Sequence, residues 1–234
     1  MALSLNKLWL DTQAVMDARL RDFFLPAAAF MFLPNFAVTL FFPSLAVGAD
    51  VPPAAAFAAT VAFLISLIGT VAVIRLAASP AATVAGAIRE GAARLLPAIL
   101  FSIVAGLIIT AGLFALIIPG LIAIAALFAG LPVLVLEGRS PIDVIKRSWQ
   151  LSKSHLGRLL LLILFLFGAV LFLSIAAGAV GLLDALLSGE SGDFNLFTAL
   201  ASGVLSAAVG TYVATMQAQL LLHLAGPEDR SIVA

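Results

Sequence analysis

Two patterns alternate along the chain. Long apolar stretches, each near or above the roughly 20 residues that cross a bilayer, run at 23–47, 54–77, 94–117, 118–136, 157–180 and 196–224. Between them lie shorter segments whose polar residues recur with the helical period. In residues 4–22, Leu5, Leu8, Trp9, Val15, Met16 and Leu20 fall on one broad face, and Lys7, Asp11, Asp17 and Arg21 on the other. The strongest polar island is 138–161. Its start reads as a helix N-terminus, with Ser140 as N-cap, Pro141 at the first helical position and Asp143 near the free N–H groups. On a helical wheel Ile142, Ile145, Trp149 and Leu156 share a face, opposite Lys146, Arg147, Gln150 and Lys153. Such a basic amphipathic helix suits a membrane–water interface. The pattern predicts an all-α, polytopic integral membrane bundle in one domain, 1–234, with six transmembrane helices and interfacial amphipathic helices.

The breaks between apolar stretches sharpen this. Pro119-Gly120 is a turn signal between the third and fourth spans. Pro34, Pro43 and Pro132 lie inside spans and read as kinks that packed membrane helices tolerate. Gly178 and Gly181 are expected to end the fifth span and leave Leu182–Leu187 as a short interfacial helix. Val47-Gly48-Ala49 could mimic a signal-peptidase site, but the polar lead-in before it is too long for a signal peptide.

Composition agrees with lipid as the solvent. Apolar residues make up 63% of the chain and charged residues only 10%, against about 25% charged in soluble domains. Net charge is zero and there is no cysteine, which argues against nucleic acid as a partner and excludes thiolate metal sites. The basic residues are distributed unevenly. They fall in the N-terminal segment, around 75–94 and 139–158, and at Arg230, whereas the other connections hold Asp50, Asp184, Glu190 and Asp193. By the positive-inside rule, both termini and both basic islands are expected in the cytoplasm.

The segments entering the odd spans rhyme: Arg19-Leu20, Arg94-Leu95-Leu96 and Arg158-Leu159-Leu160. So do those leaving the even ones: Ser79-Pro80, Ser140-Pro141 and Gly226-Pro227. This suggests three parallel repeats, about 4–77, 79–136 and 140–225. The plainer alternative is that multispanning proteins in general alternate basic and apolar segments.

No catalytic constellation is present, and no cofactor or metal site is expected; the only histidines are His155 and His223. Arg75 and Glu137 lie at cytoplasmic span ends, where they can snorkel. In the last span Thr211, Tyr212, Thr215, Gln219 and His223 lie within one arc. They read either as a polar lining for a substrate path or as interhelical hydrogen-bonding groups. Gly203, Ser206, Ala207 and Gly210 indicate close helix packing. Lys146, Arg147 and Lys153 are candidate contacts for anionic phospholipid headgroups, or ordinary topology anchors.

Pro119-Gly120, Pro132, Leu136-Glu137, Ser140-Pro141, Lys146-Arg147-Ser148-Trp149-Gln150-Leu151 and Gly157-Arg158 together resemble the membrane domain associated with bacterial glycerophosphoryl diester phosphodiesterases. They are also similar to stand-alone YciC-like inner-membrane proteins. The resemblance covers about 117–165. It implies a multispanning protein of the bacterial inner membrane. It does not imply phosphodiester hydrolysis, because that chemistry belongs to a separate soluble barrel whose acidic and histidine motifs this chain lacks. The expected function is a non-enzymatic envelope or lipid-associated scaffold, with membrane lipids and a membrane protein as partners. The alternative is a small transporter or channel for a lipid-like or small solute.

Overall fold

The computed structural model describes residues 4–42, 52–188 and 196–225. The described chain is helical, in ten α-helices: α1 (Leu5–Pro26), α2 (Leu33–Phe41), α3 (Pro53–Ala78), α4 (Val84–Ala93), α5 (Leu95–Ala115), α6 (Ile117–Leu127), α7 (Gly130–Glu137), α8 (Pro141–Ser152), α9 (Leu156–Ser188) and α10 (Leu196–Leu224). Six runs are long and apolar enough to cross a bilayer: Leu5–Phe41, Pro53–Ala78, Leu95–Ala115, Ile117–Glu137, Leu156–Ala176 and Ala199–Leu224. The fold is an all-α multi-pass membrane bundle.

The first run differs from expectation. The amphipathic segment and the first span form one path, bent at Arg19 (φ −123°, ψ 20°). Beyond α1 the helix widens into a π-helical stretch, Ala27–Phe32, and narrows again at α2. Pro34 explains the widening: it has no N–H to give the carbonyl four residues back, so the ladder loosens just before it. The Leu33 N–H accordingly reaches back five residues, to Ala28 O. Pro43, the Val47-Gly48-Ala49 segment, Asp50, Glu190, Asp193, Gly226-Pro227 and Arg230 lie outside the described residues.

Two further boundaries move. The turn between the third and fourth spans falls on Leu116, whose backbone is extended (φ −170°, ψ 152°), and Pro119-Gly120 sits in the first turn of α6. Proline is tolerated there because first-turn N–H groups have no helical partner. Gly120 permits the tight closure: a Cβ on it would lie 2.8 Å from the Leu113 backbone nitrogen. The fifth apolar run ends at Ala176, close to Gly178 and Gly181, but the helix does not break there. α9 runs unbroken to Ser188, so Leu182–Leu187 continues the same helix.

Inner and outer spans alternate. The even spans Pro53–Ala78, Ile117–Glu137 and Ala199–Leu224 are 39, 50 and 39% buried, against 22, 17 and 17% for the odd ones. The core is therefore built from α3, α7 and α10, through Val71, Ile74, Leu134, Ala214 and Leu221, with Phe23 and Met31 added from the first run. A second cluster joins Leu8 of α1 to Leu159 of α9 and to Met216 and Leu220 of α10. Two short helices fold back on the span before them. α4 lies so close to α3 that a Cβ at Gly91 would sit 2.6 Å from the Ile68 carbonyl oxygen. α8 folds back after Gly138, whose left-handed backbone (φ 65°) ends α7.

Candidate functional site

α8 starts as expected: the Ser140 side chain accepts from the Asp143 N–H, with Pro141 opening the helix. Its buried stripe is one that the apolar and basic faces of the sequence pattern did not single out. Val144, Ser148 and Ser152, four residues apart, are buried. Ser148 and Ser152 both donate to the Ala126 carbonyl, at 2.6 and 3.1 Å. That carbonyl lies at the end of α6, just before the bend that leads into α7. The serines thus satisfy a buried acceptor and clamp α8 to the span.

With that face sealed, the helix presents three others. Ile142 and Trp149 are 65% and 46% exposed on the outer surface of the helix. Lys146 and Lys153 are exposed, and contrary to expectation they do not oppose Trp149: spacings of three and four residues place both within about 60° of it on the wheel. Arg147 does not join them. It points to the Glu137 carboxylate, its Nε 3.3 Å from Oε1, and Arg139 pairs with the same carboxylate. The Glu137 side chain is only 6% exposed. The residue expected to snorkel is a shielded anion between two guanidinium groups.

A similar arrangement recurs at the other helix breaks. Arg19, at the bend in α1, donates to Leu76 O, to Ser79 O (2.7 Å) and to Ala82 O (2.8 Å), and pairs with Asp22 at 2.9 Å. It closes the C-terminal end of α3, where carbonyls lack helical partners and the helix dipole favours a cation. Arg94, at the α4–α5 break (φ −95°, ψ 7°), donates to Leu134 O of α7 at 3.2 Å. Glu90 binds both Arg94 and Arg75, each at 3.2 Å. Glu90 and Ser152 were not singled out in the sequence, and Arg19 and Ser148 were noted only as parts of motifs, with no bonding role. The paired Arg-Leu marks and the four-residue spacing of Val144, Ser148 and Ser152 were the available signals.

The polar arc of α10 turns inward. Thr211 and Thr215 are buried; Thr215 donates to Thr211 O at 2.9 Å, and their hydroxyls lie 3.6 and 3.5 Å from the sulfurs of Met31 and Met16. Gln219 donates to Ala77 O of α3 at 3.0 Å. His223 lies between Gln219 O (2.8 Å) and the Asp11 carboxylate of α1 (3.0 Å). Tyr212 packs against Trp9, with ring centroids 5.3 Å apart, and its buried hydroxyl has no partner among the described residues. Gly203 and Gly210 face Phe32 and Met31 of the π-helical stretch, as close helix packing requires.

A groove lies beside α8, walled by Ile108 of α5, Ala123 and Leu127 of α6, and Ile145, Lys146 and Trp149 of α8. Its volume is about 350 Å³. Among the described residues no group of three His, Cys, Asp or Glu side chains could hold a metal ion. The geometry defines a class, a helical multi-pass membrane protein with an interfacial helix clamped to its fourth span. No family model, curated protein or solved structure matches the chain.

Proposed function

We propose that the protein is a non-enzymatic scaffold or accessory protein of the bacterial inner membrane, with both termini cytoplasmic, held to anionic phospholipids by α8. The resemblance over 117–165 to phosphodiesterase-associated and YciC-like membrane domains is part of this reading. One observation carries it: with Val144, Ser148 and Ser152 sealed against the bundle, α8 turns Ile142 and Trp149 outward beside Lys146 and Lys153. Apolar anchors next to cations match the acyl–headgroup boundary. The α10 arc supports a scaffold over a transporter, since Thr215 and Gln219 spend their hydrogen bonds inside the bundle.

The test is lipid retention measured by native mass spectrometry. Lys146→Gln with Lys153→Gln is expected to reduce retained anionic phospholipid by about 2 kcal/mol in binding, at about 1 kcal/mol per lysine. Arg147→Gln is expected to change stability and leave retention close to that of the native protein. Equal retention by the native protein and the double lysine variant would overturn the anchoring role. The orientation has its own check: a reporter inserted in the 189–195 connection should score as external, and a cytoplasmic signal there would refute the topology.

A further inference from the structure

We propose that the groove between α5, α6 and α8 is a binding site for a single anionic phospholipid, with one acyl chain in the groove and the headgroup phosphate on Lys146. This rests on the anchoring role of α8 and adds to it a defined cavity, a tail and one lysine out of the pair. The groove has two chemically distinct ends. Its floor and walls are Ile108, Ala123, Leu127, Ile145 and the Trp149 ring. At its rim stands Lys146, exposed and without an ion pair among the described residues. A cation at one end of a hydrocarbon slot is complementary to an amphiphile that carries a negative head and an apolar tail.

Charge and shape together point to a lipid. The groove holds about 350 Å³, and its apolar walls carry a single cation, Lys146. A flexible hydrocarbon chain can lie along such walls while its own anionic headgroup meets that cation. The walls are also fixed in place. The hydrogen bonds from Ser148 and Ser152 to Ala126 O set the distance between α8 and α6. The site is therefore preformed, and its occupant loses less binding energy to ordering than a lipid on a mobile surface.

Trp149 is a built-in reporter. The chain has two tryptophans, so Trp9→Phe leaves Trp149 alone. The single-tryptophan protein would be reconstituted into phosphatidylcholine vesicles that carry tail-brominated phosphatidylglycerol or tail-brominated phosphatidylcholine. Quenching of Trp149 is expected to favour the anionic lipid about five-fold, the contribution of one lysine. Lys146→Gln should bring the ratio near one. Ala123→Phe fills the floor and should abolish the preferential quenching. It should still leave energy transfer from Trp149 to a headgroup-dansylated anionic lipid, because the charges of α8 remain. Ile108→Phe fills the groove from the other wall, should Ala123→Phe fail to insert.

Unchanged bromine quenching in a filled variant would overturn the site. So would the absence of any anionic preference in tail quenching while headgroup transfer persists; that outcome leaves the anchoring role of α8 intact. Headgroup transfer that ignores Lys146 and Lys153 together would remove both.

Discussion

Replacing Arg19 with glutamine is expected to destabilise the protein by about 3 kcal/mol, the largest effect of any single polar substitution. The guanidinium, 16% exposed, serves three carbonyls of the α3 end and its following loop, as well as Asp22. Hydrogen bonds to charged groups contribute about 1.5–3 kcal/mol each, but their effects overlap, and the freed carbonyls regain some water. A net loss near 3 kcal/mol corresponds to a fall in melting temperature of about 6–12 °C for a chain of this length. Hydrogen exchange should locate the loss. The amides of the last turn of α3 and of residues 79–83 should exchange faster, while those of α9, which Arg19 does not contact, hold their protection. Arg19→Lys should fall between the two, since one ammonium cannot reach three carbonyls from a planar fork. A melting curve unchanged by Arg19→Gln would mean that water already serves these carbonyls.

That prediction shows where sequence patterns stop being informative. The six spans were legible because lipid imposes length and polarity on every crossing segment, whatever its neighbours do. The start of α8 was legible because Ser140, Pro141 and Asp143 act locally. The face that α8 buries was not. Periodicity put Ile142 and Trp149 on the face suited to an interface, and said nothing of which side would meet the bundle. Next to lipid an apolar residue loses nothing by facing out, and packing instead chose the small Ser148 and Ser152, which come close to α6 and meet an open carbonyl. The same reasoning covers the arginines. Arg19 and Arg94 were visible as a rhyme in the sequence, yet their work depends on the Leu76 and Leu134 carbonyls, 57 and 40 residues away. The candidate site divides in the same way. Lys146 and Lys153 are exposed as expected, whereas the partner that withdraws Arg147 from them, Glu137, was legible only as the end of a span.

Glu137 gives the sharpest quantitative test of that last point. Glu137→Ala is expected to cost about 2–3 kcal/mol, because it leaves the Arg147 and Arg139 guanidinium groups facing each other at the end of α7 without the shared carboxylate. Arg147→Ala should cost less, about 1–2 kcal/mol, since Arg139 still neutralises the 6%-exposed carboxylate. The double variant removes anion and cation together, so its cost should fall short of the sum of the singles by about 1–2 kcal/mol. The measurement is a double-mutant cycle on reversible unfolding in mixed micelles, repeated at high salt. A shielded carboxylate is screened little, so the coupling should survive added salt, whereas an exposed pair would lose it. Simple additivity, with singles near zero, would assign Glu137 the snorkelling role that its place at the end of an apolar run suggests. Arg147 would then belong with Lys146 and Lys153 on the exposed side of α8.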